Sequence, residues 1–359
     1  MVNIIQPKVD PLPTGIELTG KTVVITGASA GMGLEATKQL LRLRASTVIL
    51  AVRNVAKGEA CATSLRQDRR IQTHNPNPTI KVMALDVDDY HSVQRFTKQL
   101  REEIPVVHIL ILNAGIGLLK LERSASGHDR TTQVNYYSNV LLIAELLPYL
   151  QAGAEKTGFP ARISWVGSRA HEVTSLEKKA PIKPGEGVLA HMDKEEAFFP
   201  FQRYGDSKLL CVMFMYSLAP RLDPKKVIIN MMCPGMVNTN MSDVLPMHLR
   251  LIVNVVKSFR ARPVEVGGWI ILNSALVVGP ESHGKFLNDK TISDKSAFIK
   301  SPAGQEIQKK LWEETIAEIG TLTPPSCRVQ VEHPEGVLRV PVLSMCTPIH
   351  VEATEASLI

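Results

Sequence analysis

The sequence has no apolar run long enough to cross a membrane. Its longest stretches free of formal charge, residues 104–119, 227–242 and 266–280, are each interrupted by proline, glycine or asparagine. A membrane-spanning helix needs about 20 consecutive apolar residues. Residues 1–20 also lack a basic patch followed by an apolar run. The sequence therefore predicts neither a signal peptide nor an integral membrane span.

Cysteines are few and widely spaced along the sequence. There are five cysteines, an odd number, and none lies in a Cys-x-x-Cys motif: Cys61, Cys211, Cys233, Cys327 and Cys346. This spacing predicts neither a disulfide framework nor a metal site, and it is typical of reduced thiols in a cytoplasmic protein.

Neither the basic nor the acidic residues are concentrated in one part of the sequence. The 41 basic and 35 acidic residues give a net charge of +6, but no dense basic stripe with interleaved aromatic residues occurs. We therefore expect no nucleic-acid partner. A mild positive field suits an anionic small molecule. With 44% apolar and 21% charged residues in 359, the chain has an ordinary globular composition and can bury a large core.

Apolar runs alternate with helical patterns along most of the chain. Continuous apolar strands separated by helices are typical of a parallel sheet covered on both faces. The fold class predicted is therefore α/β, a doubly wound parallel sheet of the Rossmann type in a single domain. The predicted strands are residues 21–26, 47–52, 80–85, 107–113, 162–166 and 227–232, and the predicted helices are residues 33–44, 55–69, 91–103, 138–150, 204–218 and 305–319.

Some segments stand outside this alternation. Residues 171–203 form a long connection rich in glycine and proline, which predicts a substrate-side insertion. His171 and His191 within it are interpreted as surface-loop histidines, with contact to the substrate as the alternative. Residues 236–262 are rich in apolar side chains and are interpreted as a lid, with packing of an amphipathic helix on the core as the alternative. Residues 1–19 are assigned to an N-terminal segment, 20–319 to the catalytic domain and 320–359 to a C-terminal extension.

A glycine-rich turn follows the first strand. Gly27, Gly31 and Gly33 join that strand to a helix. Glycine tolerates positive φ and lets the backbone approach a ligand, and a helix N-terminus offers free N–H groups to a phosphate. The turn predicts dinucleotide binding; a tight βα turn without a ligand is the alternative.

The ends of the next two strands bear on which dinucleotide binds. Arg53 follows the second strand, where an acidic residue would hold a ribose 2′-hydroxyl and an arginine can accept a 2′-phosphate. This favours NADP(H) over NAD(H); a solvated arginine is the alternative. Asp86, which follows the third strand, is interpreted either as an adenine ligand or as the cap of the helix that starts near Asp89.

A tyrosine and a lysine lie four residues apart in a helical pattern. Tyr204 and Lys208 therefore share one helix face, and a nearby ammonium would lower the pKa of the phenol. Ser168 follows a strand end, where α/β sheets place ligand-binding groups. Alone, the Tyr-xxx-Lys spacing also fits an ordinary amphipathic helix.

Together these motifs resemble the short-chain dehydrogenase/reductase family, over residues 19–319. The matching elements are TGxxxGxG at residues 26–33, Asn-Ala-Gly at 113–115, Asn135, Ser168, YxxSK at 204–208 and PGxVxT at 234–239. Ser164 lies inside a strand and is interpreted as structural, as are Tyr136 and Tyr137. Cys233 is interpreted as buried rather than reactive.

The resemblance implies a role for each matching residue. Tyr204 would protonate a carbonyl oxygen, Ser168 would stabilise its developing charge, and Lys208 would hold the nicotinamide ribose. Asn135 would maintain a water-linked proton path. The implied cofactor contacts are Gly27, Ser29, Gly31, Met32, Gly33, Arg53, Asn54, Asp86, Val87, Asn113, Ala114, Gly115, Tyr204, Lys208, Pro234, Gly235, Val237 and Thr239.

The overall pattern is similar to retinol-dehydrogenase-like members and to fungal biosynthetic reductases. The resemblance implies an NADPH-dependent reductase that converts a ketone of a hydrophobic, polyketide-like secondary metabolite to an alcohol. Oxidation of a secondary or allylic alcohol with NADP⁺ is one alternative, and a catalytically silent NADPH-binding scaffold is another. A redox-neutral lyase or cyclase is a third. Members of the family often form homodimers through two helices that match residues 138–150 and 204–218.

Overall fold

A computed structural model gives the structure of residues 6–239 and 260–322, the positions 247, 250 and 257, and the backbone of residues 331–333 and 336–338. The strands are β1 Thr22–Thr26, β2 Thr47–Val52, β3 Thr79–Ala84, β4 Ile109–Leu112, β5 Ala161–Val166, β6 Val227–Cys233, β7 Lys285–Asn288, β8 Thr291–Ser293, β9 Val331–His333 and β10 Gly336–Leu338. The helices are α1 Gly31–Arg42, α2 Val55–Gln67, α3 Arg69–His74, α4 Tyr90–Glu103, α5 Arg130–Thr132, α6 Ser138–Thr157, α7 Val188–Met192, α8 Arg203–Leu218, α9 Val264–Leu272, α10 Ala297–Lys300 and α11 Pro302–Leu322. Single π-helical turns cover Gln133–Tyr137 and Asn273–Val277.

The main sheet has eight strands in the order β3-β2-β1-β4-β5-β6-β7-β8. Neighbouring strands pair in parallel from β3 to β7, and β8 pairs antiparallel with β7. The chain builds outward from β1 to β3 and then resumes on the other side of β1 with β4. This reversal opens a cleft at the carboxyl ends of β1 and β4, where such sheets bind ligands. The predicted doubly wound α/β fold is confirmed.

The two faces of the sheet support two apolar cores. Side chains alternate along each strand, so Val24 contributes to one core while Val23 and Ile25 contribute to the other. Helices α4, α6, α8 and α11 cover the first face, and α1, α2 and α9 cover the second. Burial of these helix faces fixes the sheet between two helical layers.

The six predicted strands correspond to β1–β6, with ends shifted by at most a few residues. The sequence did not predict β7 and β8, whose pairing depends on β6 and on a turn at Asp289. Asp289 adopts φ +57, a conformation that aspartate tolerates better than most residues. Helix α6 continues through Pro148 to Thr157, beyond the predicted end at 150.

The insertion at residues 171–203 packs against the body of the protein. Its buried side chains, including Leu176, Val188 and Met192, join the core beside α8 and α11. The interpretation of His171 and His191 as surface residues is wrong, since they are only 3% and 5% exposed. Both rings are drawn inward by hydrogen bonds, to the Ser168 carbonyl and to Glu186 respectively.

Part of the predicted lid at residues 236–262 lies outside the described residues, namely 240–246 and most of 247–259. Of the C-terminal extension, residues 320–322 end α11 and β9 pairs with β10; residues 323–330, 334–335 and 339–359 lie outside the described part. Among the described residues, no helix is both long and apolar enough to cross a membrane.

Candidate active site

The glycine-rich turn lies at the cleft and is shaped by close backbone packing. Gly27 and Gly31 adopt positive φ, +67 and +52. A Cβ on Gly33 would lie 2.5 Å from the carbonyl oxygen of Gly27 and 2.6 Å from Asn113 Nδ2, so no side chain fits there. Ala30, at the N-cap of α1, has no side chain that could cap the helix, which leaves its first N–H groups for an anion.

A hydroxyl that the sequence did not single out joins this turn to β4. Thr26 Oγ1 accepts hydrogen bonds from the backbone N–H groups of Asn113 and Ala114, each at 2.9 Å. Asn113 Nδ2 in turn donates to the carbonyl of Thr26 at 2.9 Å. The two predicted cofactor segments are therefore one rigid unit across the cleft. Thr26 was quoted within the motif, and its position at the end of β1 was the signal for its role.

The predicted adenine-end residues follow β2 and β3. Arg53 is exposed at the end of β2, and Asn54 caps α2 by accepting from the N–H of Lys57. Asp86 accepts from the N–H of Asp88 at 3.0 Å. The capping alternative for Asp86 is wrong, because Asp89 caps α4 instead. Contacts of Arg53, Asn54, Asp86 and the half-buried Val87 with a cofactor stay predictions.

Asn135 lies in the π-helical turn before α6, a distortion that is frequent at functional sites. Its side chain binds the backbone of Ile116 on both sides, accepting from the N–H at 2.9 Å and donating to the carbonyl at 2.8 Å. Nδ2 also donates to Ser207 Oγ at 2.9 Å, and Ser207 donates to the carbonyl of Tyr204. Asn135 thus connects the loop after β4 to the first turn of α8.

Tyr204 and Lys208 project from the first turns of α8 toward the loop after β4. Lys208 Nζ lies 5.8 Å from the centre of the Tyr204 ring and donates to the carbonyl of Val166 at 2.8 Å. A Cβ on Gly115 would lie 3.0 Å from Asn135 Oδ1 and 3.4 Å from Lys208 Nζ. A Cβ on Gly117 would lie 3.3 Å from the Tyr204 ring. The structure therefore brings three of the four predicted catalytic residues to this one loop.

Ser168, the fourth predicted catalytic residue, follows β5, and its Oγ accepts from the N–H of Ala170 at 3.1 Å. Burial raises the pKa of the Tyr204 phenol, and the nearby Ser168 hydroxyl opposes only part of that rise. Burial also lowers the pKa of the Lys208 ammonium. The phenol pKa is thus raised by burial instead of lowered by Lys208 as expected. Tyr204 keeps its proton at neutral pH.

The segment after β6 lies across the cleft from α1. Cys233 is buried, as predicted, and its Sγ accepts from the N–H groups of Arg169 and Gly235, which draws this segment to the Ser168 loop. A Cβ on Gly31 would lie 3.6 Å from Thr239, so the segment also meets the glycine-rich turn. Pro234 and Val237 are buried beside it, while Met32 packs against Gly267 of α9. Their contacts with a cofactor stay predictions, as do those of Ser29.

The residues interpreted as structural are buried. Tyr136 and Tyr137 are 0% and 3% exposed within the core. Ser164 hydrogen-bonds to Asn230 and Ser274 between β5, β6 and the end of α9.

Comparisons with known proteins agree with this architecture. A family model described as short chain dehydrogenase matches residues 21–176. The chain is 98% identical over 323 residues to the short chain dehydrogenase macD of Penicillium terrestre, covering 90% of this chain and 98% of that protein. It is 76% identical over 330 residues to the short chain dehydrogenase yanD of Aspergillus niger, covering 91% of this chain and 100% of that protein. Among solved structures, L-sorbose reductase from Gluconobacter frateurii, complexed with NADPH and L-sorbose, has the same fold with a TM-score of 0.56 at 18% identity, covering 78% of this chain and 99% of that one.

The chain belongs to the short-chain dehydrogenase family. It is an oxidoreductase that acts on CH–OH or C=O groups with a nicotinamide cofactor. The cleft fits such a cofactor: the positive-φ glycines form a cradle below the N-terminus of α1, whose first N–H groups have no side-chain cap. The absence of a side chain at Gly115 lets Asn135 and Lys208 approach the loop after β4 closely.

Proposed function

We propose that this protein is an NADPH-dependent reductase that converts a ketone of a hydrophobic secondary metabolite, such as a polyketide-like compound, to an alcohol. The observation that carries the proposal is the arrangement of Ser168 and Tyr204 at the carboxyl edge of the sheet, with Asn135 and Lys208 packed against the same loop. A bound nicotinamide cofactor supplies the hydride for such a reduction.

Reduction requires a proton donor for the carbonyl oxygen, and Tyr204 can fill this role. Burial holds the phenol pKa above its ordinary value, so Tyr204 enters the reaction with its proton. Ser168 Oγ, near the phenol, stabilises negative charge that develops on that oxygen. Lys208, oriented by the carbonyl of Val166, holds the ribose of the cofactor, and Asn135 fixes the loop that faces them.

NADPH as the preferred cofactor rests on Arg53. Its exposed guanidinium at the end of β2 can reach a 2′-phosphate, which guanidinium recognises well. Arg53→Ala should weaken NADPH binding by about 10–100-fold, the worth of a lost charge-assisted hydrogen bond, and change NADH binding little. The measurement is the dissociation constant of each dinucleotide from quenching of protein fluorescence.

Arg95→Ala, which removes an exposed arginine on α4, is the matched control and should leave both constants unchanged. Equal loss of NADPH and NADH affinity in Arg53→Ala would contradict the assignment. Tighter binding of NADH than NADPH by the unaltered protein would overturn the NADPH preference itself.

A hydrophobic substrate is supported by apolar side chains near the Ser168 loop. Val173, four residues after Arg169, is 66% exposed, and its carbonyl lies beside Gly205 next to Tyr204. Met236, 41% exposed, follows the segment that Cys233 ties to Arg169. Exposed apolar side chains grouped around a polar reacting centre suit an apolar ligand. The high sequence identity to short-chain dehydrogenases of fungi supports the proposal that the substrate is a fungal secondary metabolite.

The substrate can be found without guessing its structure. The protein is incubated with NADPH and a fungal metabolite extract, and mass spectrometry identifies compounds that gain two hydrogens. A compound that gains two hydrogens supports the reductase. Loss of two hydrogens with NADP⁺ alone indicates alcohol oxidation. No change in any compound despite tight NADPH binding would point to the catalytically silent scaffold.

Dimer formation and a cytoplasmic location stay predictions. Every residue of α8 except Tyr204 is buried by the chain itself, so a dimer built on α8 would have little apolar surface to use. Sedimentation at micromolar concentration distinguishes monomer from dimer.

A further inference from the structure

The N-terminal residues 6–11, called here the N-terminal strap, lie across the segment that follows β6. Gln6 binds Met236 as a neighbouring strand would: Oε1 accepts from the Met236 N–H at 2.7 Å, and Nε2 donates to the Met236 carbonyl at 2.9 Å. Nε2 also donates to the carbonyl of Arg260 at 2.6 Å. One side chain therefore joins two stretches of backbone more than 20 residues apart in sequence.

The strap is fixed at further points along its length. Arg262 donates to the carbonyls of Pro7, at 2.8 Å, and Pro234, at 3.1 Å. Its guanidinium also pairs with Asp289 in the turn between β7 and β8. At the far end of the strap, Lys290 Nζ donates to the carbonyls of Asp10 and Pro11.

These contacts set the position of the segment at residues 234–239. Gly235 has φ +72, and a Cβ there would lie 2.1 Å from Gln6 Oε1, so the strap and the segment are in direct contact. Two residues further on, Val237 pairs with Arg262 in a short bridge, and Thr239 reaches Gly31 of the cofactor turn. A change at Gln6 is thus transmitted along the backbone to the wall of the cleft.

We propose that Gln6 is a positioning residue that holds residues 234–239 in place for the nicotinamide half of the cofactor. The inference rests on the proposed function, in which this segment meets the nicotinamide. In the proposed function the adenine half meets Arg53 and Asp86 at the ends of β2 and β3, on the opposite side of β1 from β6 and Gln6. Gln6 therefore governs affinity for the complete dinucleotide without affecting affinity for its adenosine fragment.

The experiment compares Gln6→Ala in the full chain with the unaltered protein, using NADPH and the fragment adenosine 2′,5′-bisphosphate as probes. Loss of three hydrogen bonds to the backbone of Met236 and Arg260 should raise the dissociation constant of NADPH about 5-fold. The dissociation constant of the fragment, measured by calorimetry, should not change. Gln6→Glu keeps an acceptor for the Met236 N–H but places a carboxylate oxygen against the carbonyl oxygens of Met236 and Arg260, so it should raise the dissociation constant of NADPH at least as much as Gln6→Ala.

Lys290→Ala is the matched control, because it removes the contacts at the other end of the strap and keeps the Gln6–Met236 pair. It should leave both constants unchanged. The proposal is overturned if Gln6→Ala leaves NADPH affinity unchanged, or if it weakens NADPH and the fragment equally, as general loss of structure would.

The test separates this proposal from the NADPH preference. If the unaltered protein binds NADH more tightly than NADPH, and adenosine 5′-phosphate more tightly than adenosine 2′,5′-bisphosphate, the NADPH assignment fails. The same comparison is then made with NADH and adenosine 5′-phosphate, and the expected outcomes for Gln6 are unchanged.

Discussion

The first two turns of α8 carry two sets of residues with different tasks. One set, Tyr204, Ser207 and Lys208, faces the cleft and contacts the loop after β4. The other, Arg203 and Asp206, is fully buried and binds the insertion at residues 171–203. Six consecutive residues thus contain both the proposed reacting groups and the anchor of the insertion.

The buried set is held by dense hydrogen bonding. Asp206 accepts from Thr174 Oγ1, Ser175 N and Ser175 Oγ at 2.7 to 2.8 Å. Arg203 donates to the carbonyl of Ala197 at 2.8 Å and lies over the Phe198 ring. Because an unpaired buried charge is costly, these contacts fix the insertion strongly to α8. A substitution on the cleft side should therefore affect turnover, and one on the buried side should affect stability.

The largest effect is expected for Tyr204→Phe. Removal of the proton donor should lower kcat by at least about 10³-fold, because general acid catalysis and correct placement of the carbonyl are both lost. The free energy of unfolding and the dissociation constant of NADPH should change little. Steady-state kinetics, urea unfolding and cofactor titration measure the three quantities.

Tyr137→Phe is the control, since it makes the same chemical change at a buried tyrosine whose hydroxyl has no hydrogen-bond partner among the described residues. It should keep full activity. Turnover at the unaltered rate in Tyr204→Phe would rule out this residue as the acid.

Asp206→Asn tests the buried set. The amide keeps the shape of the carboxylate but cannot accept all its hydrogen bonds, so we expect the free energy of unfolding to fall by about 3 kcal/mol. The dissociation constant of NADPH should stay within about twofold, because a loss of global stability leaves the folded cleft intact. Urea unfolding followed by fluorescence gives the first value.

Asp223→Asn, at an exposed position before β6, should lower the free energy of unfolding by less than about 1 kcal/mol. An Asp206→Asn protein as stable as the original would contradict the division between the two sets of residues.

The smallest expected effect concerns pH. His128 stacks on Tyr137 and lies between Asp193 of the insertion and Glu318 of α11, at 2.8 and 3.2 Å. Burial by itself lowers the pKa of His128, but the hydrogen bonds to the two carboxylates outweigh it and raise the pKa to about 9. The ordinary value is 6.5. A raised pKa stabilises the folded state fully below the ordinary value, and that stabilisation is lost as pH rises toward 9.

The free energy of unfolding should therefore fall by about 2 kcal/mol between pH 6 and pH 9.5 through His128. His128→Gln should remove this part of the decline, whereas His74→Gln, at an exposed position on α3, should keep it. The free energy of unfolding is measured against pH for the unaltered protein and both variants. If all three show the same decline, His128 does not anchor the insertion.

Prediction from the sequence succeeded where interactions are local or periodic. Apolar runs predicted β1–β6, and the glycines at 27, 31 and 33 predicted the glycine-rich turn. These elements could be predicted because their structure depends on residues adjacent in sequence. Strands β7 and β8 are short. β7 pairs with β6, more than 50 residues away in sequence, and β8 pairs with β7 at the edge of the sheet. His171 and His191 were missed for another reason. Their hydrogen-bond partners, Ser168 and Glu186, are only three and five residues away, but their burial depends on how the insertion packs against the core.

The active site shows the same division. Tyr204, Lys208 and Ser168 follow from motif spacing, but the direction of the phenol pKa does not, because burial is a property of the packed chain. Asp206 lies inside the YxxSK motif, yet its binding of Thr174 and Ser175 depends on the path of the insertion. Gln6 and Arg262 gave no signal at all, since each acts through backbone groups distant in sequence.

The sequence by itself determined the alternation of β1–β6 with helices, the glycine-rich turn and the candidates for the reacting groups, because these follow from residue type, periodicity and fixed spacing along the chain. Only the tertiary structure decided which partners hold those groups, how far burial moves their pKa values, and which remote residues support the walls of the cleft. Such contacts depend on segments that meet in space only after the sheet and its two helical layers have packed.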